Sequence, residues 1–273
     1  MGIADLKHFD GSDRAPKPAP KELLRGAAAE FIAMALFVFF GCGSASSNVA
    51  KYTNGEWDSA SVTIIALTFG LTITLLAYAT VHTSGAHINC AVTFALTLVG
   101  SCHPLRGLAY LVAQLSGSVV GALLLQATTS GDSTVLDRSG GLGANGYQNP
   151  KVTDGNAFLV EVMGTLLLVY VVLETAVNPA AVTSEKGGKL TVAPIAIGLA
   201  VFVAHVVCIP ITGCSINPTR SFGPALVAGE WDKHFMWWVA PLCGATLASL
   251  MWGAMKYLDE PPAATATATS SSV

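Results

Sequence analysis

Six long stretches of this chain are predominantly apolar, near 24–46, 60–82, 105–128, 156–177, 191–211 and 234–257. Each is long enough to cross a bilayer as a helix, which takes about 20 residues. Lipid offers nothing to backbone N–H and C=O groups, so such runs must satisfy their own hydrogen bonds as helices. The composition agrees: 52% of the residues are hydrophobic and 11% charged, where a soluble domain carries about a quarter charged. The prediction is an all-α membrane protein with six transmembrane helices.

The positive charges set an orientation. Lys7, Arg14, Lys17, Lys21 and Arg25 precede or open the first span, and Arg106, Lys186, Lys189 and Lys256 fall on the same side if the spans alternate. Such a bias holds that side to the cytoplasm and places both termini there. The polar, Pro-rich residues 1–22 and the low-complexity residues 259–273 read as disordered cytoplasmic tails around a membrane domain at 23–258. A net charge of −3 gives no electrostatic footprint for nucleic acid. Six cysteines lie scattered without a CxxC pair, so neither a disulfide framework nor a metal site is expected. No nucleophile–base constellation or cofactor fingerprint points to an enzyme.

Two further segments are apolar but too short to span: 89–99 (NCAVTFALTLV) and 217–228 (NPTRSFGPALVA). Each opens on Asn, a good helix N-cap, and Pro218 occupies a first helical position, where its missing N–H is harmless. Each follows an irregular Gly-containing stretch, TSGAH and ITGCS. Irregular backbone at membrane depth is tolerated only where it is buried or lines a cavity. Both are therefore candidate re-entrant half-helices. They also recur: Glu30 precedes Asn89 by 59 residues and Glu161 precedes Asn217 by 56. The chain is two copies of three spans plus a half-helix, about 23–128 and 156–257. An odd number of spans per copy inverts one copy against the other, which directs attention to a path at the midplane. The Gly-rich segment 129–155 between the copies is expected to fold over the outer mouth.

Over 24–257 the chain resembles the aquaporin (major intrinsic protein) family. The resemblance is carried by SGAHINCAVTFAL and TGCSINPTRSFGPAL, which are similar to the family's two Asn-Pro-Ala signatures. The only literal copy, Asn178-Pro179-Ala180, follows the fourth span without the Gly turn before it or the Arg after it, and reads as a loop. The resemblance implies a passive water channel that excludes protons and ions, needs no cofactor, lies in a lipid bilayer (the plasma membrane rather than an internal one) and assembles as a homotetramer. Asn89, Cys90, Ala91, Asn217, Pro218 and Thr219 would form the central constriction. The carbonyls of Gly85, Ala86, His87, Gly213, Cys214 and Ser215 would line the path. Glu30 and Glu161, ionisable groups inside spans, would hold the re-entrant loops.

The resemblance places the selectivity filter on Phe69, His205, Cys214 and Arg220. These lie 20, 12 and 3 residues before, and 3 after, the relevant Asn. The set is similar to that of water-specific members. Arg220 and His205 are expected to donate hydrogen bonds to water, and His205 fills space that glycerol conductors leave open. Ser221 and Ala225 stand where those conductors carry Asp and Lys. Two departures remain: Cys90 where the family has Pro, and Thr219 where it has Ala. Cys90, at a helix N-terminus, is a candidate redox-sensitive thiol, against a plain packing role. Competing functions are a channel that also passes hydrogen peroxide, ammonia or glycerol, a secondary carrier, and a low-flux scaffold.

Overall fold

The computed structural model describes residues 15–48, 58–129, 136–178 and 192–259. Among them are eight helices: α1 Pro20–Ser47, α2 Ser59–Thr80, α3 Cys90–Leu98, α4 Pro104–Thr129, α5 Asp154–Val172, α6 Ala193–Thr212, α7 Pro218–Ala228 and α8 Met236–Asp259. α5 runs on into a π-helical turn, Leu173–Val177. Six are long and apolar enough to cross a membrane, with α5 and its π turn counted together; α3 and α7 are the two short ones. The chain is thus an all-α multi-pass membrane protein. α1 starts at Pro20, ahead of the domain boundary expected at 23. Residues 1–14 and 260–273, which hold most of both expected tails, lie outside the described residues, as do Pro179, Ala180, Lys186 and Lys189.

Helix ends follow local chemistry. Glu22 accepts from the Ala19 N–H at 3.3 Å just ahead of Pro20. Asp58 caps α2 by accepting from the Ala60 N–H, and bonds from Ser61 hold its carboxyl below the usual range. Thr153 and Asn156 exchange bonds at the start of α5, a capping box. Gly213 and Gly229 end α6 and α7 in the left-handed region. Along the spans Leu75, Leu108, Leu159, Leu199 and Leu250 face outward, as helices bathed in lipid require.

Packing repeats with the sequence. α1 lies on α4 as α5 lies on α8; α1 meets α2 as α5 meets α6. Each half-helix crosses over to the other copy: α7 packs on α4, and α3 on α8. The remaining large contact, α2 on α6, pairs equivalent spans with each other. Glycines permit these approaches. A Cβ on Gly117 would sit 2.3 Å from the Phe31 carbonyl oxygen, and one on Gly244 would sit 2.4 Å from that of Val162. Phe31 and Val162 each follow a buried glutamate, so the close approach recurs at matched places. At the α2–α6 contact, a Cβ on either Gly70 or Gly198 would lie 2.7 Å from the other's carbonyl oxygen.

Candidate functional site

The loops ahead of α3 and α7 share one backbone. Gly85, Ala86 and Ile88 have φ of 89°, 55° and 47°; Gly213, Cys214 and Ile216 have 73°, 60° and 43°. A β-branched residue in the left-handed region is strained, and such strain persists only where surroundings hold it. The buried glutamates do the holding. Glu30 accepts from the Ser84 hydroxyl (2.6 Å), the His87 N–H (2.9 Å), the Ile88 N–H (2.7 Å) and the Gln114 side-chain amide (2.8 Å). Glu161 accepts from the Thr212 hydroxyl (2.6 Å), the Ser215 N–H (2.8 Å) and the Ile216 N–H (2.7 Å). Ser84 and Thr212, His87 and Ser215, Ile88 and Ile216 are repeat partners. The carbonyls of Gly85, Ala86, His87, Gly213, Cys214 and Ser215 accept no hydrogen bond from another described residue.

The asparagines meet at the centre. Each caps its half-helix: Asn89 Oδ1 accepts from the Ala91 N–H at 2.8 Å, and Asn217 Oδ1 accepts from the Arg220 N–H at 3.3 Å. Each also donates across the repeat, Asn89 Nδ2 to the Ile216 carbonyl and Asn217 Nδ2 to the Ile88 carbonyl, both at 2.8 Å. An amide NH₂ has two protons, so each keeps one for a guest. Both helix N-termini turn their positive dipole ends toward this point. Cys90, Ala91, Pro218 and Thr219 are buried beside them. Cys90 is 6% exposed, a setting for the packing role and not for an accessible redox thiol.

Phe69, His205 and Arg220 come together from α2, α6 and α7. The Phe69 and His205 rings stack with centroids 4.3 Å apart, and the Arg220 guanidinium lies 5.0 Å above the Phe69 ring. Arg220 Nη1 donates to the Gly143 carbonyl (3.0 Å) and Asn145 Oδ1 (2.8 Å). Both acceptors are neutral, Arg220 forms no ion pair among the described residues, and its Nε has no hydrogen-bond partner among them. Cys214 is buried in the adjoining loop, where its N–H donates to the Thr212 hydroxyl.

One expectation needs correction. His205 was expected to donate to a guest, but its Nδ1 bonds the Val201 carbonyl at 2.9 Å. A carbonyl only accepts, so Nδ1 carries the proton. In the uncharged ring Nε2, buried without a partner among the described residues, then accepts. The three residues expected to form the filter therefore offer a donor in Arg220 and an acceptor in His205.

Several site residues escaped the sequence. Gly143 and Asn145 belong to the loop between the copies, which folds back on the end of α6: the Gly146 and Gln148 N–H groups donate to the Thr212 and Ile211 carbonyls. Asn145 was invisible because its partners, Arg220 and Ser221, lie over 70 residues away in sequence. Gln114 carried a faint signal, an amide in the middle of an apolar span. Ser84 and Thr212 carried a better one, since each precedes its capping Asn by five residues. Asn178, of the literal motif, ends the π turn and bonds Glu174, apart from the site.

Fold and site together define a multi-pass membrane channel: an inverted repeat whose half-helices meet head to head, with a buried arginine that forms no ion pair among the described residues beside the meeting point. Comparison with known families matches residues 19–252 to the one described as Major intrinsic protein. Human Aquaporin-2 is 43% identical over 244 residues, covering 88% of this chain and 80% of that one. A Probable aquaporin TIP-type alpha of Phaseolus vulgaris is 34% identical over 255 residues, covering 93% of each. Rat Aquaporin-1 is 38% identical over 228 residues, covering 84% of this chain and 80% of that one. Among solved structures, the aquaglyceroporin from Plasmodium falciparum shares the fold with a TM-score of 0.71 at 22% identity, covering 84% of this chain and 95% of that one. The chain belongs to the major intrinsic protein, or aquaporin, family; it is a membrane channel and not an enzyme.

Proposed function

We propose that this channel conducts water passively and excludes protons, ions and glycerol. The observation that carries the reading is the packed set of Phe69, His205 and Arg220. Two stacked rings fill space that a three-carbon polyol needs, while Arg220 donates and His205 accepts, a pairing that fits one water molecule. The guanidinium opposes cations. Toward the centre, the free N–H of Asn89 and of Asn217 would both bond the oxygen of a passing water. That orientation breaks the hydrogen-bonded chain a proton needs, and the two helix dipoles add a barrier. The carbonyls of Gly85, Ala86, His87, Gly213, Cys214 and Ser215, which take no donor from another described residue, supply acceptors along the way. On this reading the working form is a homotetramer in the plasma membrane with both termini in the cytoplasm. Its relatives carry the name aquaporin in animals and plants.

Stopped-flow light scattering on proteoliposomes tests the cargo. Fast shrinkage in a sucrose gradient with no glycerol re-swelling is the expected result. Fast re-swelling in glycerol sinks strict water selectivity and favours the broader small-solute channel.

A further inference from the structure

The two capping asparagines are not capped alike. In the first motif Asn89 Oδ1 takes the N–H of the residue two places on, Ala91, at 2.8 Å. In the second motif the corresponding N–H belongs to Thr219, and it is not among the bonds that Asn217 Oδ1 accepts; Thr219 instead lies against the sulfur of Cys90, where α3 and α7 meet. Asn217 Oδ1 is left with the Arg220 N–H at a long 3.3 Å. Its short partner is the Thr219 hydroxyl, at 2.7 Å.

Neighbouring bonds fix the direction of that contact. Asn217 Nδ2 donates to the Ile88 carbonyl, so the atom facing Thr219 is the amide oxygen. Gln114 Nε2 donates to the Glu30 carboxylate, so Gln114 turns its oxygen to Thr219 as well, at 3.4 Å. A hydroxyl has one proton, and the shorter approach gives it to Asn217. A proline at position 90 has no sulfur for Thr219 to lie against, and an alanine at 219 has no hydroxyl to reach Asn217. The two departures from the family pattern thus touch each other and answer each other.

We propose that Cys90 and Thr219 act as one unit that positions the Asn217 amide: Cys90 draws the Thr219 N–H away from Asn217, and the Thr219 hydroxyl takes its place. Thr219 is then a positioning residue for the central constriction. The inference rests on the water-channel reading for its effect on flux, but not for the pairing itself.

Two measurements decide it. Osmotic water permeability per reconstituted protein should fall about five-fold in T219V, the equivalent of one hydrogen bond, with T219S restoring most of it. Equal permeability in wild type and T219V overturns the positioning role, whereas a wild type that conducts no water overturns the functional reading instead. The pairing is read without flux, from thermal unfolding of purified C90P, T219A and C90P/T219A beside wild type. Each single variant should lower the midpoint, and the double variant should recover a large part of the loss. Additive losses overturn the pair.

Discussion

Asn89 and Asn217 exchange support across the repeat axis, each donating its side-chain amide to the carbonyl just ahead of the other at 2.8 Å. The centre is therefore a closed ring of bonds, in which the amide that would orient water is also the tie between the two copies. Asn217→Asp tests both duties. It replaces the donor with a carboxylate facing the Ile88 carbonyl, at a cost of about 1–3 kcal/mol for the lost buried bond. It also sets a negative charge where the helix dipoles repel cations. The expected outcome is lower water flux with a new cation leak, read by vesicle swelling and by planar-bilayer current.

The glutamates are a second test of symmetry. Glu161→Gln sets an NH₂ against donors, since the Ser215 and Ile216 N–H groups and the Thr212 hydroxyl all point at the carboxylate. Charge-assisted bonds contribute roughly 1.5–3 kcal/mol each. Glu161→Gln should therefore unfold in detergent well below wild type, and Glu30→Gln should do likewise for the other loop. Thermal melts followed by circular dichroism check both; an unchanged midpoint in either contradicts the assigned role.

Widening the filter should change the cargo. His205→Gly removes the ring stacked on Phe69 and leaves Arg220 in place. The expected outcome is glycerol permeability where wild type has none, with water flux retained, measured by re-swelling in a glycerol gradient.

Strong acid should loosen the loop that holds Arg220. Asp137 accepts from the Ser139 hydroxyl and from the Leu142 N–H, and this turn leads to Gly143 and Asn145, which hold Arg220. Partial burial acts to raise the Asp137 carboxyl, but the bonds from Ser139 and Leu142 outweigh it and hold it below the ordinary value. A lowered carboxyl stabilises the fold above the unfolded pKa, about 3.9, and loses that contribution as pH falls through the folded one. Hydrogen exchange at residues 139–146 should stay flat from neutral pH down to about 4 once corrected for intrinsic rates, then quicken. Asp137→Asn should show the quick exchange already at neutral pH.

The eight helices, the duplication and the paired caps were legible because each rests on local signals: runs of apolar residues, Asn ahead of a short helix, Gly in an irregular stretch. Glu30 and Glu161 were legible too, since a charge inside lipid needs a reason and theirs recurs. What the sequence hides depends on distance. Nothing local says that α3 packs on α8 and α7 on α4, because lipid-bathed helices have no polar face to mark the side that turns inward. Asn145 and Asp137 sit among the Ser, Gly and Asn of an ordinary loop. His205 was singled out by the family resemblance, but its expected role reversed once the Val201 carbonyl fixed its proton. Cys90 and Thr219 each read as an isolated oddity until their contact placed them side by side.

The most direct test joins the two halves of the central claim, that water passes and protons do not. Proteoliposomes loaded with a pH-sensitive dye are mixed with an osmolyte under an outward-to-inward pH step, and volume and internal pH are followed together. The account predicts shrinkage far faster than in protein-free liposomes while internal pH changes no faster than in them. Shrinkage at the protein-free rate, or internal pH collapsing along with the volume, contradicts it.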